Sequence, residues 1–119
     1  MVSFEAPKVW LAPMSGATDA PMRRQAVYFG APAVVSEMVA GEMLAAARPD
    51  VVRRACRHEG GGYWIVQLAA RRPEDMYRGA VLLAESGVDV IDINMGCPSR
   101  QVTGGQSGSA LMRDLTLAG

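Results

Sequence analysis

The sequence predicts an α/β fold of about four βα units, the first half of an eight-stranded (β/α)8 barrel of the TIM type. Three observations predict it. Strand-like and helix-like segments alternate along the chain in the order βαβαβαβα, which calls for a parallel sheet with right-handed crossovers. No G-x-G-x-x-G follows the first strand and no P-loop occurs, so the usual phosphate-binding turn of an open nucleotide fold is missing. Polar or reactive groups instead recur where strands end: Ser15, then Ser36 and Glu37, then Gln67, then Asn94 and Cys97. A barrel mouth requires such a ring. An open doubly wound sheet is the alternative architecture.

Residues 9–12 form a short apolar run between Pro7 and Pro13, read as the first strand, with a rim turn at 14–18. Thr18 or Asp19 can cap a helix to about Tyr28, with Pro21 in its first turn and Gly30 beyond its end. Residues 33–36 read as the second strand. Two short helices follow at 42–47 and 50–57, divided by Pro49, which pushes Arg48 out of the helical region. Three glycines at 60–62 turn the chain into residues 63–68, the clearest strand by β-propensity. Residues 73–86 read as a helix, since Pro73, Glu74 and Asp75 suit its first turn and Gly87 its stop. Met76, Ala80, Leu83 and Ala84 give that helix one apolar stripe. The fourth strand covers 88–93, and a glycine-rich loop leads to a short helix at 109–113.

Composition narrows the function classes. At 119 residues and 50% hydrophobic content the chain can bury a modest core, and it is globular in character. No apolar run approaches the roughly 20 residues of a membrane helix, and the N-terminus lacks a signal pattern, so a cytoplasmic protein without membrane contact is expected. Cys56 and Cys97 lack the companions of a zinc or disulfide framework, so no metal site is expected and both thiols should be reduced. Twelve basic residues balance twelve acidic ones, which leaves no net field to attract nucleic acid. The arginine pairs at 23–24, 53–54 and 71–72 read as solvated faces, except that Arg71 and Arg72 follow a strand and share the rim with Cys97. His58 reads as a surface residue and Cys56 as a small buried hydrophobe on a helix.

Residues 91–99, Ile-Asp-Ile-Asn-Met-Gly-Cys-Pro-Ser, carry the chemistry. A strand suited to burial runs into a turn broken by Gly96 and Pro98, so Asn94 and Cys97 should project from its carboxyl end. A position between glycine and proline is poor core, which favours a reactive role for Cys97. Gln67 could instead satisfy a neighbouring backbone group.

These residues resemble a known family. Ala12-Pro13-Met14-Ser15-Gly16-Ala17-Thr18-Asp19, Ser36-Glu37-Met38, Val66-Gln67-Leu68 and Asp92-Ile93-Asn94-Met95-Gly96-Cys97-Pro98, with residues 105–113 behind them, look like the N-terminal part of the tRNA-dihydrouridine synthases, the bacterial B-type above all. The likeness runs over nearly the whole chain. It implies reduction of the C5=C6 bond of particular tRNA uridines by FMN, with NADPH as reductant, in a βα barrel followed by a helical tRNA-binding domain. It further implies that the backbone of Pro13, Met14 and Ser15 lies beside the flavin, that Gln67 bonds the flavin's polar edge, that Asn94 holds the base, and that Cys97 protonates uracil C5. Thiols, with an ordinary pKa of about 8.5, remain protonated near neutral pH and can act as acids. A uracil must leave its stack to reach the flavin, which suits a roomy rim loop at 99–108. Ser15 stands where alanine is common in the family, and the small size is kept.

Members of that family are much longer, so the 119 residues are expected to be a truncated catalytic barrel without its second half and helical domain, binding FMN weakly or not at all alone. Two other readings stand beside this one: a related FMN barrel acting on free pyrimidines or dihydroorotate, and a non-catalytic half barrel that self-associates through its open strand edges.

Overall fold

The structure, a computed structural model, describes residues 5–100 and 104–119. Four helices and four strands precede a C-terminal pair of short helices: α1 Ala20–Tyr28, β1 Ala33–Val35, β2 Val39–Ala40, α2 Gly41–Ala45, α3 Pro49–Ala55, β3 Tyr63–Ala69, α4 Pro73–Glu85, β4 Val90–Ile93, a 3-10 turn Gly108–Arg113 and α5 Leu115–Ala118. All strand pairings are parallel.

β3 organises the sheet. Its odd residues face one edge, where the Tyr63 N–H donates to Pro32 O and Ile65 O accepts from the Ser36 N–H. Its even residues face the other, where Trp64 O accepts from the Asp89 N–H and Leu68 O from the Asn94 N–H. β1 and then β2 therefore run along the first edge, interrupted at residues 36–38, and β4 occupies the second. The chain thus adds strands in sequence order, with no reversal of the kind a doubly wound sheet contains. Among the described residues β4 has no partner beyond β3, and the sheet is open.

The expected first strand is reduced to a single parallel bridge between Leu11 and Val34. Leu11 bonds β1 through both its N–H and its carbonyl, whereas Val9 beside it is 68% exposed and so gains little from lying extended on the sheet. The short β2 strand lies in a stretch with no strand expectation. Two residues are too few to show a period.

Helix ends follow from local chemistry. Asp19 caps α1 by accepting the Met22 N–H at 3.0 Å, as its position before Pro21 suggests. α1, α2 and α4 all end in Schellman motifs, with the paired bonds Ala31 N–H to Ala26 O, Arg48 N–H to Met43 O and Val88 N–H to Leu83 O. Glycines 30 and 87 take the left-handed position in two of these, whereas Ala47 takes it in α2 at φ 52°. α2 therefore stops at Ala45, two residues short of the expected end.

Helices cover one face of the sheet. Trp64, Val66 and Leu68 of β3 pack there with Val39, Leu44, Val51 and Leu83. Gly41 and Gly79 let α2 and α4 approach closely: a Cβ on Gly41 would meet Asp75 O at 2.6 Å. On the opposite face Ala33, Val35 and Ile65 form a smaller cluster. Gln67 and Asp92, register partners across β3 and β4, continue that face toward the carboxyl ends of the strands. There the apolar surface gives way to polar groups.

Candidate active site

Parity places the polar groups. Val66 and Leu68 belong to the helix-side core, so Gln67 between them must point to the opposite face. The same alternation sends Asp92 and Asn94 to that face from β4. Gln67 Nε2 donates to Asp92 Oδ2 at 2.7 Å, and Asn94 Nδ2 donates to Gln67 Oε1 at 2.8 Å. Asn94 Oδ1 then accepts the Cys97 N–H at 3.1 Å. Gln67 and Asn94 are each 8% exposed, so these bonds form largely out of water, where leaving one unmade is costly.

The Cys97 turn is held from both sides. Its N–H is bound by Asn94, and its carbonyl accepts the Ser109 N–H at 3.1 Å from the 3-10 turn. The thiol is half-buried and free. A cavity of about 500 Å³ opens beside it, lined by Gln67, Asp92, Asn94 and Cys97 together with Pro13 and Ser15. Five of the six candidate site residues thus share one cavity. Met14 is the exception, 42% exposed and outside that lining. A second cavity of about 820 Å³ also reaches Cys97 and Ser15, and Arg71 and Arg72 line it, as their position after β3 suggests. The rim loop expected at 99–108 falls partly outside the described residues.

The rim turn 14–18 is locked from within and from below. Thr18, fully buried, accepts the Met14 N–H on its hydroxyl at 3.0 Å and returns that hydroxyl proton to Met14 O. Glu37 accepts the Gly16 N–H at 2.6 Å, and the positive φ of Gly16 allows the bend. Arg23 supports the turn from beneath. Its Nε donates to Thr18 O at 3.1 Å, while Nη2 donates to Arg54 O and Cys56 O at the end of α3.

Arg23 and His58 correct the sequence reading. Arg23 is fully buried and not a solvated surface group. Burial pulls its pKa below the ordinary arginine value, opposed by Cys56, Asp19 and Glu37. It stays charged, since guanidinium does not deprotonate in proteins. His58 is 4% exposed, with Nε2 at 3.1 Å from Gly61 O. Cys56, expected inside, is exposed at the end of α3. Two of the three carbonyls that Arg23 serves, those of Arg54 and Cys56, lie more than thirty residues away in sequence, and no local pattern announces them. Asp92 was legible in principle, because a carboxylate two residues before Asn94 must share its face of the strand.

His58 makes stability depend on pH. Gly61 O can only accept, so Nε2 carries the proton and Nδ1 is bare and buried. Burial lowers the His58 pKa from its ordinary 6.5; the Gly61 bond and Asp89 oppose this, and the charges of Arg23 and Arg57 reinforce it. The unfolded chain therefore binds the proton more readily than the folded one. Stability is then full above the ordinary value and falls as pH drops below it. Thermal melts at about pH 5 and about pH 7.5 should show a smaller acid loss in His58→Gln, whose amide can still donate to Gly61 O. Equal losses in both proteins would reject this.

A parallel α/β layout with two linked amides, a carboxylate and a free thiol gathered beyond the strands' carboxyl ends is the arrangement in which α/β enzymes place their ligand sites. Comparison with known proteins identifies the lineage. Residues 10–119 match the dihydrouridine synthase family, and the chain belongs to it. It is 53% identical over 110 residues to a probable tRNA-dihydrouridine synthase of Rhodobacter capsulatus, covering 91% of this chain and 34% of that protein. It is 50% identical over 109 residues to the corresponding protein of Rhizobium leguminosarum bv. phaseoli, covering 90% and 33%. It is also 37% identical over 106 residues to tRNA-dihydrouridine synthase B of Pasteurella multocida, covering 89% and 32%. The chain spans about a third of the length of these relatives. No helix among the described residues is long and apolar enough to cross a membrane.

Proposed function

We propose that these residues are the N-terminal part of an FMN-binding (β/α)8 barrel that reduces particular tRNA uridines to 5,6-dihydrouridine in the cytoplasm, with NADPH as the electron source. Further barrel strands and a helical tRNA-binding domain would complete it. The observation that carries the reading is the hydrogen-bonded run from Asp92 through Gln67 and Asn94 to Cys97, which opens on one cavity at the carboxyl ends of the strands. Sequential parallel pairing from Leu11 to β4 supports the barrel.

The donor set suits a flavin ring. Its polar edge alternates carbonyls with ring nitrogens, and Gln67 retains one N–H beyond that given to Asp92. Pro13 and Ser15 would approach the ring through their backbone, a contact that favours the small residue at position 15. FMN, when bound, supplies the hydride for uracil C6. Asn94 would hold the base, and Cys97 would give the thiol proton to C5, completing a two-electron reduction. Its half-buried position lets solvent restore that proton.

Incubating the full-length protein with FMN, NADPH and unmodified tRNA tests the reading. Dihydrouridine should appear as a gain of two hydrogens on tRNA uridines by mass spectrometry. Flavin bound and NADPH consumed without dihydrouridine would overturn it, and turnover of free pyrimidine or dihydroorotate would favour the small-molecule alternative.

A further inference from the structure

We propose that Asp92 is a positioning residue that fixes, through Gln67 and Asn94, the direction in which both amides and the Cys97 turn face the cavity. The inference deepens the proposed function, on which the catalytic meaning of Cys97 rests, but its structural content is independent of it.

A primary amide has a donor end and an acceptor end of nearly equal size, so an amide lining a cavity can satisfy its neighbours in either orientation unless something breaks the symmetry. Two such amides stand in series here. The carboxylate oxygen of Asp92 at one end of the series can only accept, and the Cys97 N–H at the other can only donate. With both ends fixed, a single arrangement makes all three bonds: Gln67 turns its NH2 to Asp92, Asn94 turns its NH2 to Gln67, and Asn94 Oδ1 receives Cys97. Reversing either amide sets two donors or two acceptors face to face. The polarity has a consequence for any ligand. Each amide keeps one N–H outside the series, which leaves donors for the carbonyl and ring-nitrogen acceptors of a flavin or the carbonyls of a uracil.

Asp92 is well placed for this. It is the register partner of Gln67 in the β3–β4 ladder, so the backbone itself sets the 2.7 Å contact. It is half-buried in the cavity lining and has no ion-pair partner among the described residues. Its effect on Cys97 runs entirely through Gln67 and Asn94.

The test is amide hydrogen exchange in the full-length protein labelled with 15N at cysteine, where the exposed Cys56 serves as an internal reference. In Asp92→Ala the Cys97 amide should exchange about tenfold faster while the Cys56 amide is unchanged. Asp92→Asn, whose oxygen can still accept, should stay within about threefold of the native rate. An unchanged Cys97 rate in Asp92→Ala overturns the proposal. So does equal acceleration at Cys56, which would mean general loosening, or an Asp92→Asn rate as fast as that of Asp92→Ala. If Asp92→Ala does not fold, Gln67→Met cuts the same series one link on, and an unchanged Cys97 rate there is equally fatal. Loss of tRNA reduction is scored separately: a native protein that makes no dihydrouridine rejects the proposed reaction and leaves the exchange result standing.

Discussion

Cys97→Ala in the full-length protein is expected to lower tRNA reduction by about a hundredfold to ten-thousandfold, the usual contribution of a placed general acid, while NADPH still reduces the flavin. The fold should survive, because the contacts of Cys97 to Asn94 and Ser109 are made by its backbone. The loss should therefore fall on the half-reaction that consumes the uracil and not on the one that loads the flavin. Rapid mixing of reduced enzyme with tRNA separates the two. Native rates of flavin reoxidation in the alanine variant would remove Cys97 from the chemistry.

Arg23→Met is expected to cost about 3 kcal/mol or more, because it takes donors from three backbone carbonyls at once, each worth about 1 to 3 kcal/mol when left unmade in the interior. Against a total stability of about 5 to 15 kcal/mol that is a large share. The effect should reach the rim, since Thr18 links Arg23 to the turn that carries Met14 and Ser15. Arg23→Lys should rescue little: one ammonium cannot reproduce a fork that serves Thr18 on one side and Arg54 and Cys56 on the other. A urea midpoint for Arg23→Met within error of the native value would show that solvent or relaxation replaces these bonds.

The contrast between these two residues shows what the sequence carried. The place of Cys97 beside the cavity was legible because its signals are local: a strand, a glycine, a proline and a thiol within a few positions. β3 and α4 were legible for the same reason, since seven residues of β-propensity and a thirteen-residue amphipathic stripe each span enough of their own period. Arg23 was not, because a buried arginine and a solvated one look alike until the ends of two helices are brought together. His58 failed likewise, because two of the charged groups that surround it, Arg23 and Asp89, come from distant parts of the chain. The first strand was overcalled because apolar content stood in for pairing, and only Leu11 found a partner. The residues that line the cavity were easier to pick out than those that brace it. Cavity-lining positions gather at strand ends, whereas the groups that brace them are drawn from anywhere in the chain.

Among the described residues β4 pairs on one side only, which matters when these 119 residues are handled on their own. Val90–Ile93 offers a row of backbone donors and acceptors away from β3, and Ile93 is 52% exposed beside it. Such a margin is adhesive toward any extended peptide, so self-association should rise with concentration, with no net charge to oppose it. Asp92 limits this. Its carboxylate stands on the cavity face of β4, and where a second copy added in register along that edge the two Asp92 side chains would lie side by side, and like charges so placed repel. The side chain proposed to orient the two amides would thus also act as a brake on aggregation, and salt, which screens that repulsion, should weaken the brake.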